Sequence, residues 1–341
     1  EPMLYLFGAT ENTIGYSMDY LNIYLYGSIF VELALGLNFF ITSQGFSTVG
    51  MASVIIGAVV NIVLDPILIF GLNMGVKGAA LATITAQAVS AVWVVRFLCG
   101  RRTKLRIQRR LLRLDAKVLA PVLALGLSPF IMQSTESLVN IAFNSSLKTY
   151  GGDPAVGAMT ICSSIMQVFS LLFQGLSQGA QPIVGYNYGA GQLDRVKRTF
   201  RLLFFSSLCF SCAACAALEL FPGLFVSLFN DKPELVEIAV WALHIYAAGM
   251  FMLGVQFSCQ QTFVALGQTR VSLFLALLRK VILLIPLILL LPRFLSDQVF
   301  AVFLAEPVAD ILAATTTGAI FFWRFPRILE KRRLELEHRP T

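Results

Sequence analysis

Residues 21–27 read Leu-Asn-Ile-Tyr-Leu-Tyr-Gly, and residues 243–249 read Leu-His-Ile-Tyr-Ala-Ala-Gly, so four of the seven positions are identical. Gly45 and Gly267 extend the match at the same offset of 222 residues. Six apolar spans separate the two copies, which indicates a repeat unit of six helices. Two similar bundles in the same orientation are typical of a membrane transporter.

The composition places the chain in a membrane. Hydrophobic residues make up 57%, charged residues 13%, and the mean hydropathy is +0.76, which is more apolar than a soluble domain. The apolar runs are continuous, whereas strands of a membrane barrel alternate, so we predict an all-α membrane protein. A helix needs roughly 20 residues to cross the hydrocarbon. Nine runs meet this length, at 18–42, 48–71, 76–99, 118–147, 155–187, 197–229, 234–265, 271–292 and 298–325.

Nine spans are three fewer than two six-helix bundles require. At the offset of 222 residues, Leu6 and Phe7 align with Leu228 and Phe229 at the close of the sixth span. We therefore expect this chain to be an N-terminally truncated part of a twelve-helix protein, although a natural nine-helix protein is the alternative. The predicted organisation is an incomplete N-lobe at 1–99, a basic cytoplasmic linker at 100–117, a C-lobe at 118–325 and a charged cytoplasmic tail at 326–341.

Charge predicts the orientation. The linker carries eight basic residues against the single acidic residue Asp115, and basic loops stay in the cytoplasm. Alternation from this loop places three further basic segments inside and the loop with Asp231, Glu234 and Glu237 outside. We therefore expect a multi-pass protein of the bacterial cytoplasmic membrane. Anionic lipid headgroups explain the linker's charge better than nucleic acid does.

Acidic residues within the spans are the main functional signal, because an ionised carboxylate in hydrocarbon is costly and faces a bundle interior or a hydrated cavity. Glu32 and Glu136 lie deep in their spans, with no basic residue on the same helix. Glu306 and Asp310 share one helical face around Pro307, and for this pair a structural and a functional role both stay open.

Asp65 has polar neighbours. Asn61 lies one helical turn before it, and the next span begins with the small residues at 78–82, followed by Thr83. Small residues permit close helix packing, so a carboxylate, an amide oxygen and a hydroxyl could form an oxygen site for a small cation or a proton. Helix capping by Asn61 and Asp65 is the structural alternative. No nucleophile and base pair is legible, so we predict no catalytic residue and no enzyme.

Four segments resemble the multidrug and toxic compound extrusion (MATE) family. Residues 61–70 read Asn-Ile-Val-Leu-Asp-Pro-Ile-Leu-Ile-Phe and residues 75–83 read Gly-Val-Lys-Gly-Ala-Ala-Leu-Ala-Thr, similar to the fifth and sixth helices of that family. Residues 175–191, Gly-Leu-Ser-Gln-Gly-Ala-Gln-Pro-Ile-Val-Gly-Tyr-Asn-Tyr-Gly-Ala-Gly, resemble its eighth helix and the following loop. Glu306-Pro307-Val-Ala-Asp310 resembles the bacterial branch of multidrug exporters in the family.

The resemblance implies an antiporter with two lobes that opens alternately to each side and exports organic, often cationic, compounds in exchange for Na⁺ or H⁺. Asn61, Asp65 and Thr83 match the family's N-lobe cation ligands on its fifth and sixth helices, so Na⁺ is a possible ligand there. Glu136 matches a coupling glutamate of a second branch, on the seventh helix. The tenth helix has Val255, Gln256 and Ser258 near the position of that branch's aspartate, so we place the cation in the N-lobe.

Substrate contacts are predicted at Glu32, Gln133 and Gln174, with Glu136 one turn from Gln133; for the two glutamines, interhelical hydrogen bonding is the alternative. A lipid-linked saccharide flippase of the related superfamily is the second hypothesis, but such proteins tend to line their cavity with basic residues. Only Arg279 and Lys280 are clear basic candidates inside the spans. A channel or membrane scaffold is the third hypothesis. The expected partners are membrane lipid, a small organic cation and the coupling ion. We expect no nucleic acid, no other cofactor and a monomeric state.

Overall fold

The computed structural model describes residues 4, 14–100, 102–103, 105–108, 115–230 and 232–337. All regular secondary structure in these ranges is helical, as the apolar runs predict. The chain divides into two compact units, Glu1–Asp115 and Ala116–Thr341. Parts of the predicted linker, the start of the N-lobe and the end of the tail lie outside the described residues.

The described residues of the first unit form three long helices, α1 (Ile14–Ser43), α2 (Ser47–Pro66) and α3 (Gly75–Cys99). A π-helical segment, Ile67–Gly71, continues α2. Gly45, in the turn between α1 and α2, has a φ of 89°, a left-handed conformation that glycine adopts without a steric penalty.

Helices α1 and α3 run side by side in the same direction. Near their starts, Lys77 Nζ lies 3.4 Å from Asp19 Oδ1. Near their ends, Ile41 packs with Val94 and Leu98 in a small apolar core. Helix α1 therefore contacts α3 along most of its length, as well as α2, its neighbour in sequence.

Helices α2 and α3 are antiparallel and approach each other closely. Ser90 Oγ donates a hydrogen bond to the Ser53 carbonyl oxygen at 2.9 Å. A Cβ atom on Gly78 would lie only 2.7 Å from the Leu68 carbonyl oxygen, so only glycine fits there. The small residues at 78–82 therefore permit the close packing that the sequence predicts.

The second unit contains eight helices and a larger apolar core. Their bounds are α4 (Ala116–Gly189), α5 (Leu193–Leu220), α6 (Pro222–Ser227), α7 (Pro233–Tyr246), α8 (Leu253–Ala265), α9 (Thr269–Leu277), α10 (Ile285–Phe294) and α11 (Gln298–Glu337). A 3₁₀-helical segment, Ala247–Met252, joins α7 to α8, and a π-helical segment, Leu278–Leu284, joins α9 to α10.

Within the described residues, eight helical stretches are long and apolar enough to cross a membrane. One of them lies within α4, where Gly152 has φ 66° and ψ −164° and interrupts the helical conformation. This break falls between the predicted spans at 118–147 and 155–187, so the eight stretches correspond to the nine predicted spans. The all-α membrane fold is confirmed.

Candidate functional site

The residues of the predicted N-lobe cation site lie on two adjacent helices. Asn61 and Asp65 are on α2 and Thr83 is on α3, and all three are half-buried. The close contacts between α2 and α3 set an antiparallel register that puts Thr83 at a height between Asn61 and Asp65. The structure therefore brings the three residues to one level of the first unit.

No hydrogen bond joins the side chains of Asn61, Asp65 and Thr83. The Thr83 hydroxyl donates instead to the Ala79 carbonyl oxygen of its own helix, at 3.0 Å. The Asn61 Nδ2 atom is buried and has no hydrogen-bond partner. A buried polar atom without a partner is uncommon in folded proteins, which makes this amide a candidate ligand-binding group.

Asp65 lies where α2 changes its geometry. Pro66 has no backbone N–H, so it cannot donate to the Ile62 carbonyl oxygen. The π-helical segment starts at the next residue, Ile67. π-helical turns within longer helices are frequent at functional sites, and here the turn directly follows the carboxylate.

The second unit contains a cluster of buried charges. Arg279 Nε donates to Asp310 Oδ1 at 2.6 Å, and Arg279 Nη2 donates to Glu306 Oε1 at 3.2 Å. The side chains are 17%, 2% and 10% exposed for Arg279, Asp310 and Glu306, respectively. One guanidinium group thus lies between two buried carboxylates, in the geometry that Arg favours for carboxylate pairs.

A third ion pair adjoins these two, because Lys280 Nζ contacts Glu136 Oε1. Only 16% of the Lys280 side chain is exposed, against 52% of that of Glu136. Together the three pairs connect α4 and α11 to the π-helical segment that carries both cations. We call these five residues, Glu136, Arg279, Lys280, Glu306 and Asp310, the charge cluster.

Irregular helices surround the charge cluster. Pro286 cannot donate to the Ile282 carbonyl oxygen, which lies within the π-helical segment that holds both cations. On the other side, a Cβ atom on Gly249 would lie 2.7 Å from the Cα atom of Pro307. Prolines therefore interrupt the backbone hydrogen bonds of the elements that carry the charges of the cluster.

The carboxylate oxygens of the charge cluster do not all have hydrogen-bond partners. Glu306 Oε2 is buried and has no hydrogen-bond partner. Burial of charges costs free energy that only well-formed pairs repay, and removal of one partner leaves the other uncompensated. The cluster can therefore fix α11 to the π-helical segment. It leaves one carboxylate oxygen free to accept a proton or a hydrogen bond from another donor.

Both cations of the charge cluster could be identified from the sequence, but their acidic partners could not. Arg279 is 31 residues from Asp310, and Lys280 is 144 residues from Glu136. The sequence does contain one indication of these pairs. A charge inside the membrane is costly, so acids and bases within the spans are expected to pair with each other. Near the predicted outer surface, Glu219 Oε2 also contacts His244 Nδ1 at 2.7 Å.

The predicted substrate contacts are exposed. Glu32 lies on α1 of the first unit, and Gln133 and Gln174 lie on α4 of the second unit. On α8, near the predicted position of a partner for Glu136, Gln256 donates to Gln260 Oε1 at 3.0 Å. The sequence of helix α8 contains no acidic residue. Within the described residues, no group of three or more His, Cys, Asp or Glu side chains could hold a metal ion.

Comparisons with known proteins identify relatives of this chain. The MatE family model matches residues 129–290. The multidrug export protein MepA of Staphylococcus haemolyticus (strain JCSC1435) is 27% identical over 307 residues, covering 89% of this chain and 67% of that protein. MepA of Staphylococcus aureus (strain NCTC 8325 / PS 47) is 25% identical over 309 residues, covering 90% of this chain and 68% of that protein.

Solved structures show the same fold. The structure of the MATE multidrug transporter DinF-BH, solved as a ligand complex, superposes with a TM-score of 0.86 and 39% identity, over 96% of this chain and 73% of that one. An outward-facing MATE family transporter superposes with a TM-score of 0.88 at 21% identity, over 94% of this chain and 72% of that one.

The membrane-spanning helices and the similarity to MATE transporters define a multi-pass transporter of the bacterial plasma membrane. This confirms the prediction that the chain is not an enzyme. The chain belongs to the MATE family of transporters.

Proposed function

We propose that the protein exports organic, often cationic, compounds across the plasma membrane by alternating access, in exchange for inward movement of Na⁺ or H⁺. Its relatives include proteins named for multidrug export, and a similar structure at 39% identity is a multidrug transporter with a bound ligand. These similarities support the export of drugs. The geometry of the first unit supports the coupling step.

The observation that carries the proposal is the position of Asp65. Its half-buried carboxylate lies one turn from Asn61 and close in height to Thr83, so three side chains with oxygen atoms share one level. Hard cations such as Na⁺ take oxygen ligands, and a carboxylate alone suffices for a proton. The Asn61 Nδ2 atom makes no hydrogen bond, so a rotation of the amide that presents Oδ1 to a cation breaks no Nδ2 contact.

Ion binding acts on the packing of α2 against α3. An ionised Asp65 within the membrane needs water or a cation near it, whereas a neutralised carboxyl group packs more readily against α3. The π-helical segment that follows is the place where the hydrogen-bond ladder is already irregular, so α2 can bend there. An ion that binds one conformation more tightly than the other shifts the equilibrium between the access states.

In the second unit, the charge-bearing substrate contact in this proposal is Glu136. Glu136 is half-exposed, and Gln133 lies one turn before it on the same helix. An organic cation at Glu136 competes with Lys280 for the carboxylate, so we keep Glu136 as a second coupling residue. Glu32 and Gln174 are exposed acceptors that complete the proposed set.

The alternative function, flipping of a lipid-linked saccharide, has less support. Such a substrate carries phosphate, which requires interior cations without other partners. Arg279 and Lys280 both bind acids of the charge cluster. Direct binding separates the two functions, because a drug exporter binds a fluorescent organic cation and a flippase binds the lipid-linked saccharide.

The test of the proposal is the substitution Asp65→Asn, which keeps the shape of the side chain and removes its charge. We expect efflux of a fluorescent organic cation from cells to fall to the level of cells without the transporter. Asp19→Asn is the matched control, because Asp19 is an acid of the same unit at the start of α1, paired with exposed Lys77. Normal efflux by the Asp65→Asn protein at equal membrane abundance would refute the coupling role.

A further inference from the structure

A groove opens between one end of α9 and one end of α11. The charge pattern of the sequence predicts that these two helix ends lie on the cytoplasmic side. Its first part is a cavity of about 470 Å³ whose apolar wall is formed by Val271, Phe274, Ile320 and Trp323. Arg270 and Arg324 line the same cavity. An apolar wall next to two cations matches the two parts of an amphipathic molecule with an anionic head.

A second cavity of about 470 Å³ continues the first and is more polar. It shares Trp323 and Arg324 with the first cavity, and Arg327 and Lys331 join its lining. The Arg327 guanidinium carbon lies 4.0 Å from the centre of the Trp323 ring, so the two side chains are stacked. We call the two cavities together the Trp323 groove.

The cations of the Trp323 groove have no acidic partners. Within the described residues, no ion pair involves Arg270, Arg324, Arg327 or Lys331. On the same helix, by contrast, Arg332 lies 3.3 Å from Glu335 and Arg333 lies 3.1 Å from Glu337. Glu335 also lines the second cavity, where it pairs with Arg332, so the groove keeps a net positive charge.

We infer that the Trp323 groove binds an anionic phospholipid of the cytoplasmic leaflet. Trp323 and Arg324 lie at the end of the last predicted span, 298–325, where tryptophan side chains occupy the interface between membrane and water. The apolar wall suits an acyl chain, and the four cations suit a phosphate group of net negative charge. The chain's own basic segment at 100–117 is a poor occupant, since like charges repel.

The test compares binding of phosphatidylglycerol and phosphatidylcholine with the same acyl chains to the purified protein in detergent, measured by native mass spectrometry. We expect the wild-type protein to bind phosphatidylglycerol roughly tenfold more tightly than phosphatidylcholine. The double substitution Arg270→Gln/Arg324→Gln removes two groove cations and lowers the affinity for phosphatidylglycerol by about tenfold or more. Trp323→Ala weakens the binding of both lipids.

The matched control is Lys197→Gln/Arg333→Gln, which removes two positive charges that already have acidic partners, on the same predicted side of the membrane. This control keeps its affinity for phosphatidylglycerol within about twofold, because it leaves the groove intact. Thermal unfolding without added lipid verifies that each variant is folded. A second variant pair, Arg327→Gln with Lys331→Gln, tests the same groove if the first pair does not fold.

Three results would overturn the inference. Equal affinity of the wild-type protein for the two lipids would show that headgroup charge is not recognised. An equal loss in the control variant would show that net charge, and not the groove, attracts the lipid. Competition by soluble glycerol phosphate as effective as that by phosphatidylglycerol would show a site for a free phosphate group that does not use the apolar wall.

Discussion

Arg279 Nε donates to Asp310 Oδ1 at 2.6 Å, and this hydrogen bond connects the π-helical segment between α9 and α10 to α11. The same guanidinium group reaches Glu306 at 3.2 Å. A single cation therefore compensates two carboxylates that the protein buries almost completely. The stability of the second unit should depend strongly on this one side chain.

The substitution Arg279→Met should destabilise the protein by about 3–5 kcal/mol, because it leaves two buried carboxylates without a cation. Thermal unfolding of the purified protein in detergent measures this loss. Addition of Glu306→Gln and Asp310→Asn to the same variant should restore most of the stability, since the buried charges are then gone. The exposed Arg293→Met is the control and should change little. If Arg279→Met alone is as stable as the wild-type protein, the ion pairs of Arg279 contribute nothing to stability.

The ion pair of Glu136 and Lys280 should respond unequally to removal of its two members. Glu136→Gln leaves a mostly buried ammonium group without its partner, whereas Lys280→Met leaves a half-exposed carboxylate that water can solvate. We expect Glu136→Gln to be more destabilising than Lys280→Met by roughly 1–3 kcal/mol, as an unpaired buried group costs its full desolvation. Unfolding curves of the two single variants decide this, and the reverse order would contradict the observed burial.

The close approach of α2 and α3 predicts that Gly78 tolerates no side chain. In Gly78→Ala the added carbon would lie 2.7 Å from a backbone carbonyl oxygen, so the helices must separate. A loss of about 1–3 kcal/mol is expected, together with reduced export. Gly36→Ala on α1 is the matched control, because no atom lies within 4 Å of its added carbon and alanine favours helices. Equal melting temperatures for both variants would refute the tight packing.

Gly152 marks the break between two spans and has a left-handed φ of 66°. Gly152→Ala should destabilise the protein by about 1–3 kcal/mol, because φ 66° together with ψ −164° is a conformation that essentially only glycine adopts. Gly179→Ala, also in α4, has open space around the added carbon and should be neutral or slightly stabilising. Comparison of the two melting temperatures tests whether the break requires glycine, and a neutral Gly152→Ala would show that it does not.

Much of the fold follows from the sequence for simple physical reasons. Continuous apolar runs of membrane-spanning length have one stable form, so the helices and the break near Gly152 could be predicted. The small residues at 78–82 likewise predict close packing against α2. The positions of the 3₁₀ and π segments could not be predicted from the sequence, because they depend on which helices pack next to the prolines.

The charge cluster shows why the site was harder to predict. Periodicity assigns Glu306 and Asp310 to one face of a helix, but it does not tell which helix faces them. Their partner Arg279 is on the previous span, and Lys280, its neighbour in sequence, turns to α4 instead. Only the packing of several helices determines these pairs. For Asn61, Asp65 and Thr83 the resemblance of local motifs was sufficient to propose a site, and its ion stays a prediction.

We propose that a cation gradient drives export through Asp65. Transport of a fluorescent organic cation by the protein in sealed vesicles, with an imposed Na⁺ or H⁺ gradient and no ATP, measures this coupling. We expect uphill movement of the dye that stops when an ionophore collapses the gradient and that is absent from Asp65→Asn vesicles. Uphill movement that continues after the gradient collapses, or that Asp65→Asn vesicles retain in full, would contradict it.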